Sequence, residues 1–119
     1  MALVERRVFP RLLFNVEVQY HAIFLPEGEE ALKARSKDIS AGGIRLMTPG
    51  QLDCDTVLEL KFFLPGSKEL IYVTGRVVWT DKFEAGTLGA AEAYDSGIEF
   101  IGIDPEDREK INQYVFPRM

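Results

Sequence analysis

A period of two runs through most of the chain and limits its fold more than any other feature. From Phe14 to Ala22 the apolar residues Phe14, Val16, Val18, Tyr20 and Ala22 alternate with Asn15, Glu17, Gln19 and His21. Leu58, Leu60, Phe62 and Leu64 alternate in the same way with Glu59 and Lys61. Ile71, Val73, Gly75, Val77 and Trp79 share one face, with Tyr72, Thr74, Arg76 and Val78 opposite. Successive side chains of a strand point to opposite sides, so this pattern reads as strands with one buried and one wetter face. Shorter stretches at Leu32 to Lys37, Ile44 to Met47 and about Ala90 to Ile101 complete a set of six. Turn chemistry separates them, at Pro26-Glu27-Gly28, Gly42-Gly43, Pro49-Gly50, Pro65-Gly66-Ser67 and Gly86 to Gly89. The fold class predicted is all-β and antiparallel, a barrel or a sandwich. A six-stranded barrel is preferred, because closure removes exposed strand edges.

The last segment changes period. Asp104 is suited to cap a helix, Pro105 stands where a first turn tolerates proline, and Asp107 follows inside that turn. Ile111, Tyr114 and Val115 then fall on one helical stripe, which predicts a C-terminal α-helix packed on the barrel. A length of 119 residues suits one domain. The division predicted is 1-119 as that domain, with an arm over 1-11, the barrel over 12-103 and the helix over 104-116.

Charge and composition remove several function classes. The formal charge is -5, a poor match for a general nucleic-acid binder, which presents a broad basic face. An anionic small ligand stays open if positive charge is concentrated locally. One histidine and one cysteine supply no metal-ligand cluster and no intrachain disulfide. His21 lies on the polar side of its strand and is expected to be solvated rather than catalytic. No apolar run nears the ~18 residues that would span a bilayer, and Met1 to Pro10 lacks a signal-peptide core. A soluble cytoplasmic protein with no membrane insertion is the expectation.

Two segments carry chemistry. Arg6-Arg7-Val8-Phe9-Pro10-Arg11 puts three guanidiniums within six residues of an acidic chain. Each planar fork can grip two phosphate oxygens, and its flat face can stack on a base. A solvated basic arm is the plain alternative. Asp38-Ile39-Ser40-Ala41-Gly42-Gly43 combines short acceptor side chains with glycines, which permit positive φ and close approach of a ligand to the main chain. An Asp carboxylate there can accept two hydrogen bonds from a guanine edge or hold an Arg in place. A hairpin turn with local side-chain caps is the plain alternative here.

The spacing Arg-Arg-x-x-x-Arg followed by Asp-x-Ser-x-x-Gly resembles the signature of PilZ domains, matched by Arg6, Arg7 and Arg11, then Asp38, Ser40 and Gly43. Gly75-Arg76-Val77-Val78-Trp79 and Gly97-Ile98-Glu99-Phe100 are similar to the family's later strands, and the likeness runs from about Glu5 to Phe116. The resemblance implies a six-stranded antiparallel PilZ-like split barrel with a C-terminal helix. It also implies a ligand, cyclic diguanylate (cyclic di-GMP), no other cofactor and no catalysis. By carry-over, Arg6, Arg7 and Arg11 contact phosphates and guanine, Asp38 and Ser40 bond the guanine edge, and Gly43 permits the turn. Gly97 leaves space beside the ligand. A receptor of this kind transmits messenger level to a downstream protein partner in motility or biofilm regulation, here by ordering the arm over the barrel. The competing readings are a PilZ-like interaction module that binds no nucleotide and a small nucleic-acid-binding barrel.

Three further expectations concern individual side chains. Trp79 and Phe62 are assigned to the core. Arg45 and Arg76, on the wetter faces, either extend the basic surface or are solvated. Phe63, Tyr72 and Val78 point away from the apolar faces, either under the helix or in a partner-binding patch.

Overall fold

Most of the regular alternation becomes strand. The computed structural model describes residues 12–23, 32–83 and 93–118. Its strands are β1 (Leu12–Leu13), β2 (Glu17–Ala22), β3 (Leu32–Ser40), β4 (Gly43–Thr48), β5 (Val57–Phe63), β6 (Leu70–Phe83) and β7 (Ala93–Ile103). They are followed by α1 (Pro105–Val115) and a 3-10 turn over Phe116–Arg118. All pairings are antiparallel, in the order β3-β2-β5-β6-β7-β4, and β4 returns to β3 to close a six-stranded barrel. The short β1 is an addition to the six expected strands, laid on β3 beyond the point where β2 leaves it.

A buried hydroxyl makes that hand-over possible. Between β1 and β2 the backbone of residues 14–16 leaves the ladder, and Ser36 of β3 sits opposite with 2% exposure. The Ser36 hydroxyl accepts from the Val16 N–H and donates to the Phe14 carbonyl, so these two main-chain groups keep partners where the ladder is interrupted. The Phe14 N–H donates to the Lys37 carbonyl at 2.9 Å and keeps β1 in register.

The core is the inward side of every strand. Val18, Tyr20, Ile39, Ile44, Leu46, Leu58, Leu60, Phe62, Ile71, Val73 and Val77 are essentially inaccessible. The helix closes one side of the barrel with Ile111 and Val115, both fully buried, while Tyr114 sets its ring edge-on to Phe14. Asp104 caps this helix through Oδ1, which accepts from the Glu106 N–H at 2.9 Å. Asp104→Ala should therefore lower the unfolding free energy by about 1 kcal/mol in urea titration, with an unchanged slope.

Among the described residues three bulges break the period of two. Lys37 is the extra residue in β3, Ile101 in β7 and Val78 in β6. The bulge at Val78 corrects the assignment of Trp79 to the core. Val77 opposes Ile98 and Trp79 opposes Gly97, so the inserted residue turns Trp79 outward to 39% exposure. Phe62 is in the core, with 1% exposure. Phe63, Tyr72 and Val78 stay 50%, 41% and 41% exposed, so the helix does not cover them. His21 is half-buried and pairs with Glu59 across β2 and β5 at 3.0 Å. Arg76 is paired as well, with Asp55 at 3.2 Å and Glu99 at 3.7 Å. The turns expected at Pro26-Glu27-Gly28 and at Gly86 to Gly89 lie outside the described residues.

Candidate functional site

Strand register assembles a site from residues far apart in the chain. Asp38 opposes Leu13 on one side and Arg45 on the other; Arg45 opposes Gly97, and Gly97 opposes Trp79. Directly opposed residues of antiparallel strands share a face of the sheet. Leu13, Asp38, Arg45, Gly97 and Trp79 therefore form one row across the outside of the barrel. A second row beside it runs Ser40, Gly43, Glu99 and Arg76. With strands about 4.8 Å apart, Asp38 and Trp79 are separated by about 14 Å across the sheet.

Of the seven residues singled out in the sequence, Asp38, Ser40, Gly43 and Gly97 lie in these two adjacent rows. Arg6, Arg7 and Arg11 lie outside the described residues. Ser40 is 3% exposed, and its hydroxyl accepts from the Gly42 N–H at 3.1 Å, which caps the tight β3–β4 turn. Gly43 does not supply the positive φ that the sequence suggested. Left-handed backbone among the described residues is found at Asp55 (φ 71°) and Gly66 (φ 80°). What Gly43 supplies is close approach: a Cβ there would stand 2.5 Å from the Ile98 carbonyl oxygen. Gly97 serves the same end differently. A Cβ at Gly97 would overlap the indole of Trp79, so the glycine makes the seat on which that ring lies.

Four functional candidates escaped the sequence reading or were left undecided by it: Arg45, Asp95, Lys37 and the outward Trp79. Asp95, 6% exposed, accepts from Arg45 Nε at 2.9 and 3.0 Å through its two oxygens and from Arg45 Nη2 as well. Lys37 approaches the same carboxylate at 3.8 Å. Arg45 Nη1 stands 3.9 Å from Asp38 Oδ2, and its guanidinium lies 5.8 Å from the Trp79 ring centroid. Hydrogen bonding to Asp95 raises the Arg45 pKa above its ordinary value, partial burial opposes the shift, and the charges of Asp95 and Asp38 add to it. Its positive charge is fixed. Hairpin counting would have found Arg45, because a two-residue turn at Ala41-Gly42 places it opposite Asp38. Asp95 carries no such local signal.

A groove of about 400 Å³ opens beside this row, lined by Leu13, Phe14, Asn15, Ser36, Lys37, Asp38 and Arg45. That volume is in the range of small-molecule sites. Among the described residues there is no group of three or more His, Cys, Asp and Glu side chains able to hold a metal, and no helix long and apolar enough to cross a membrane.

The sequence pattern of the PilZ domain matches residues 5–116. No curated protein sequence matches the chain. Among solved structures, the Bacillus subtilis inhibitor of motility MotI/DgrA is similar with a TM-score of 0.73 and 23% identity, over 95% of this chain and 51% of that one. The MrkH–c-di-GMP complex of K. pneumonia is similar with a TM-score of 0.69 and 21% identity, over 95% and 52%. The PilZ domain of Escherichia coli YcgR with c-di-GMP gives 0.67 and 13%, over 94% and 90%. The chain thus spans about half the length of MotI/DgrA and MrkH, and at these identities the likeness is one of fold. With the family pattern covering nearly all of its length, the chain belongs to the PilZ domain family.

Proposed function

We propose that the chain is a cyclic di-GMP receptor, with no catalytic role, in which an Arg clasp at residues 6–11 closes on the Asp38 face of the barrel. In this reading residues 1-119 act as one domain in the cytoplasm: a ligand-gripping arm at 1-11, a fixed barrel at 12-103 and a helix at 104-116. Arg6, Arg7 and Arg11 take the phosphates and stack on or bond to guanine. Asp38 accepts from a guanine edge, Ser40 shapes the turn and can bond the same edge, Gly43 lets the turn close on β7, and Gly97 seats the Trp79 ring beside the ligand. Ordering of the arm then presents a new surface to a downstream protein partner.

One observation carries this reading. Leu12 pairs with Ile39 and Leu13 with Asp38, so the residue that follows Arg11 is hydrogen-bonded to the strand that carries the acceptor turn. Consecutive Cα atoms lie 3.80 Å apart, and the Arg run directly precedes Leu12 in the sequence, so a clasp built from it has the chain length to reach that turn. Charge supports it too. Around the groove the carboxylates of Asp38 and Asp95 face the cations of Arg45 and Lys37, so this part of the framework is close to neutral. Two phosphates need additional cations. The Arg run supplies three.

Titration calorimetry tests the proposal directly. The native chain should bind cyclic di-GMP, and Asp38→Ala should bind about ten- to a hundredfold more weakly, the cost of losing hydrogen bonds to a charged acceptor. Native binding left intact by Asp38→Ala would remove Asp38 from the site. No native binding would favour the interaction-module reading instead.

A further inference from the structure

We infer that Asp95 and Arg45 form a positioning pair for the ligand face: Asp95 locks the Arg45 guanidinium, and Arg45 in turn sets the Asp38 carboxylate and steadies the Trp79 ring. The inference rests on the cyclic di-GMP reading for its effect on affinity, but its geometric part stands on this structure alone.

The observations come from three strands. Arg45 lies on β4, flanked by Asp38 of β3 and Gly97 of β7, with Asp95 two residues before Gly97 on the same face. A guanidinium is long and has several torsions, so an unheld Arg45 would sample many positions over this row. Asp95 prevents that. Both of its oxygens receive hydrogen bonds from the Arg45 fork, a planar match that fixes direction as well as distance. The Asp95 side chain is itself 9% exposed and has Lys37 as a second cation at 3.8 Å, so water competes little for it. With Nε and Nη2 committed to Asp95, Nη1 is the end that faces Asp38, at 3.9 Å. The guanidinium lies 5.8 Å from the Trp79 ring centroid, within cation–π reach of a ring seated on Gly97.

Each part therefore depends on the one before it. Asp95 does not touch the row's acceptor; it acts through Arg45. A ligand that needs Asp38 in one orientation avoids the ordering cost that a freely turning carboxylate would impose. Lysine at position 45 could not reproduce the effect, because a point-like ammonium lacks the flat fork that serves Asp95 and Asp38 from opposite ends.

Trp79 gives the test its own probe, because it is the only tryptophan in the chain. The variants are Asp95→Asn, Arg45→Lys, Asp38→Ala and the double variant Asp95→Asn with Asp38→Ala. The measurements are cyclic di-GMP calorimetry, Trp79 emission with acrylamide quenching, and the thermal midpoint. Asp95→Asn should weaken binding by about tenfold. Its Trp79 ring should become more readily quenched, and Arg45→Lys should do the same. In the double variant the affinity loss should be close to that of Asp38→Ala alone, because a residue acting through Asp38 has nothing left to act on. Fully additive losses would overturn the inference, as would an Asp95→Asn protein with native affinity and native quenching. If the native chain binds no cyclic di-GMP, the ligand reading falls, and Trp79 quenching alone decides the geometric part: a change on Asp95→Asn sustains the pair, and no change overturns it. If Asp95→Asn lowers the thermal midpoint too far for measurement, Arg45→Lys decides in its place on the same two readouts.

Discussion

Replacing Arg7 and Arg11 together by alanine should weaken cyclic di-GMP binding by about a hundred- to ten-thousandfold while leaving the fold intact. Each hydrogen bond to a charged group contributes about 1.5–3 kcal/mol, and every 1.4 kcal/mol is tenfold, so two such losses compound to that range. The framework near the groove cannot make good the deficit. Its nearest cations, Arg45 and Lys37, already face Asp95, and moving either onto a phosphate would leave a nearly buried carboxylate short of a partner. Stability should change little, because the described residues build the barrel core, the helix contacts and the closing β3–β4 ladder among themselves. Salt offers an independent check. Native affinity should fall as ionic strength rises, because exposed charges attract through a screened field, and the double variant should show a flatter dependence. Calorimetry at two salt concentrations reads both effects. A double variant that binds as the native chain does would dismiss the clasp.

How much of this was legible in the residues depends on whether the signal was local. The alternation from Phe14 to Ala22 and from Leu58 to Leu64 translated into β2 and β5 with the expected faces inward, because a strand's side-chain period is fixed by its backbone. The helix followed from its cap, its proline and its stripe, each readable within four residues. Trp79 shows where such reading fails. Its face was assigned by counting in twos from Ile71, and the extra residue Val78 reverses the count only because β7 pairs around it. The same limit applies to the site. Asp38, Ser40 and Gly43 sit in one hairpin, so their nearness was visible in the sequence. The Arg45–Asp95 pair joins residues fifty positions apart through the β4–β7 register, which no local pattern encodes. β1 escaped for a related reason: two residues are too short to show a period, and its partner is set by where β2 leaves β3.

That hand-over leads to the largest stability effect expected, at Phe62. Its ring is 1% exposed in the barrel and meets Phe14 edge-on, centroids 6.1 Å apart; Phe14 in turn meets Tyr114 of α1 edge-on at 5.7 Å. Phe62→Ala removes a buried aromatic side chain and leaves a cavity that rigid neighbours cannot fill, at a cost of about 3–5 kcal/mol. A domain of this size has a total of about 5–15 kcal/mol, so the thermal midpoint should drop by roughly 10–20 °C. The effect should not stop at the core. Phe14 directly follows β1, and its N–H bond to Lys37 is one of those that hold β1 against β3 beside Asp38. A ring that has lost the Phe62 contact holds that strand less firmly, so amide exchange at Leu13 and Phe14 should quicken more than at Leu46, which lies on the β4 side of the barrel. Differential scanning calorimetry measures the first effect and hydrogen exchange the second. Uniform loss of protection at all three amides would mean that Phe62 supports the barrel as a whole and has no particular part in anchoring the strand next to the clasp.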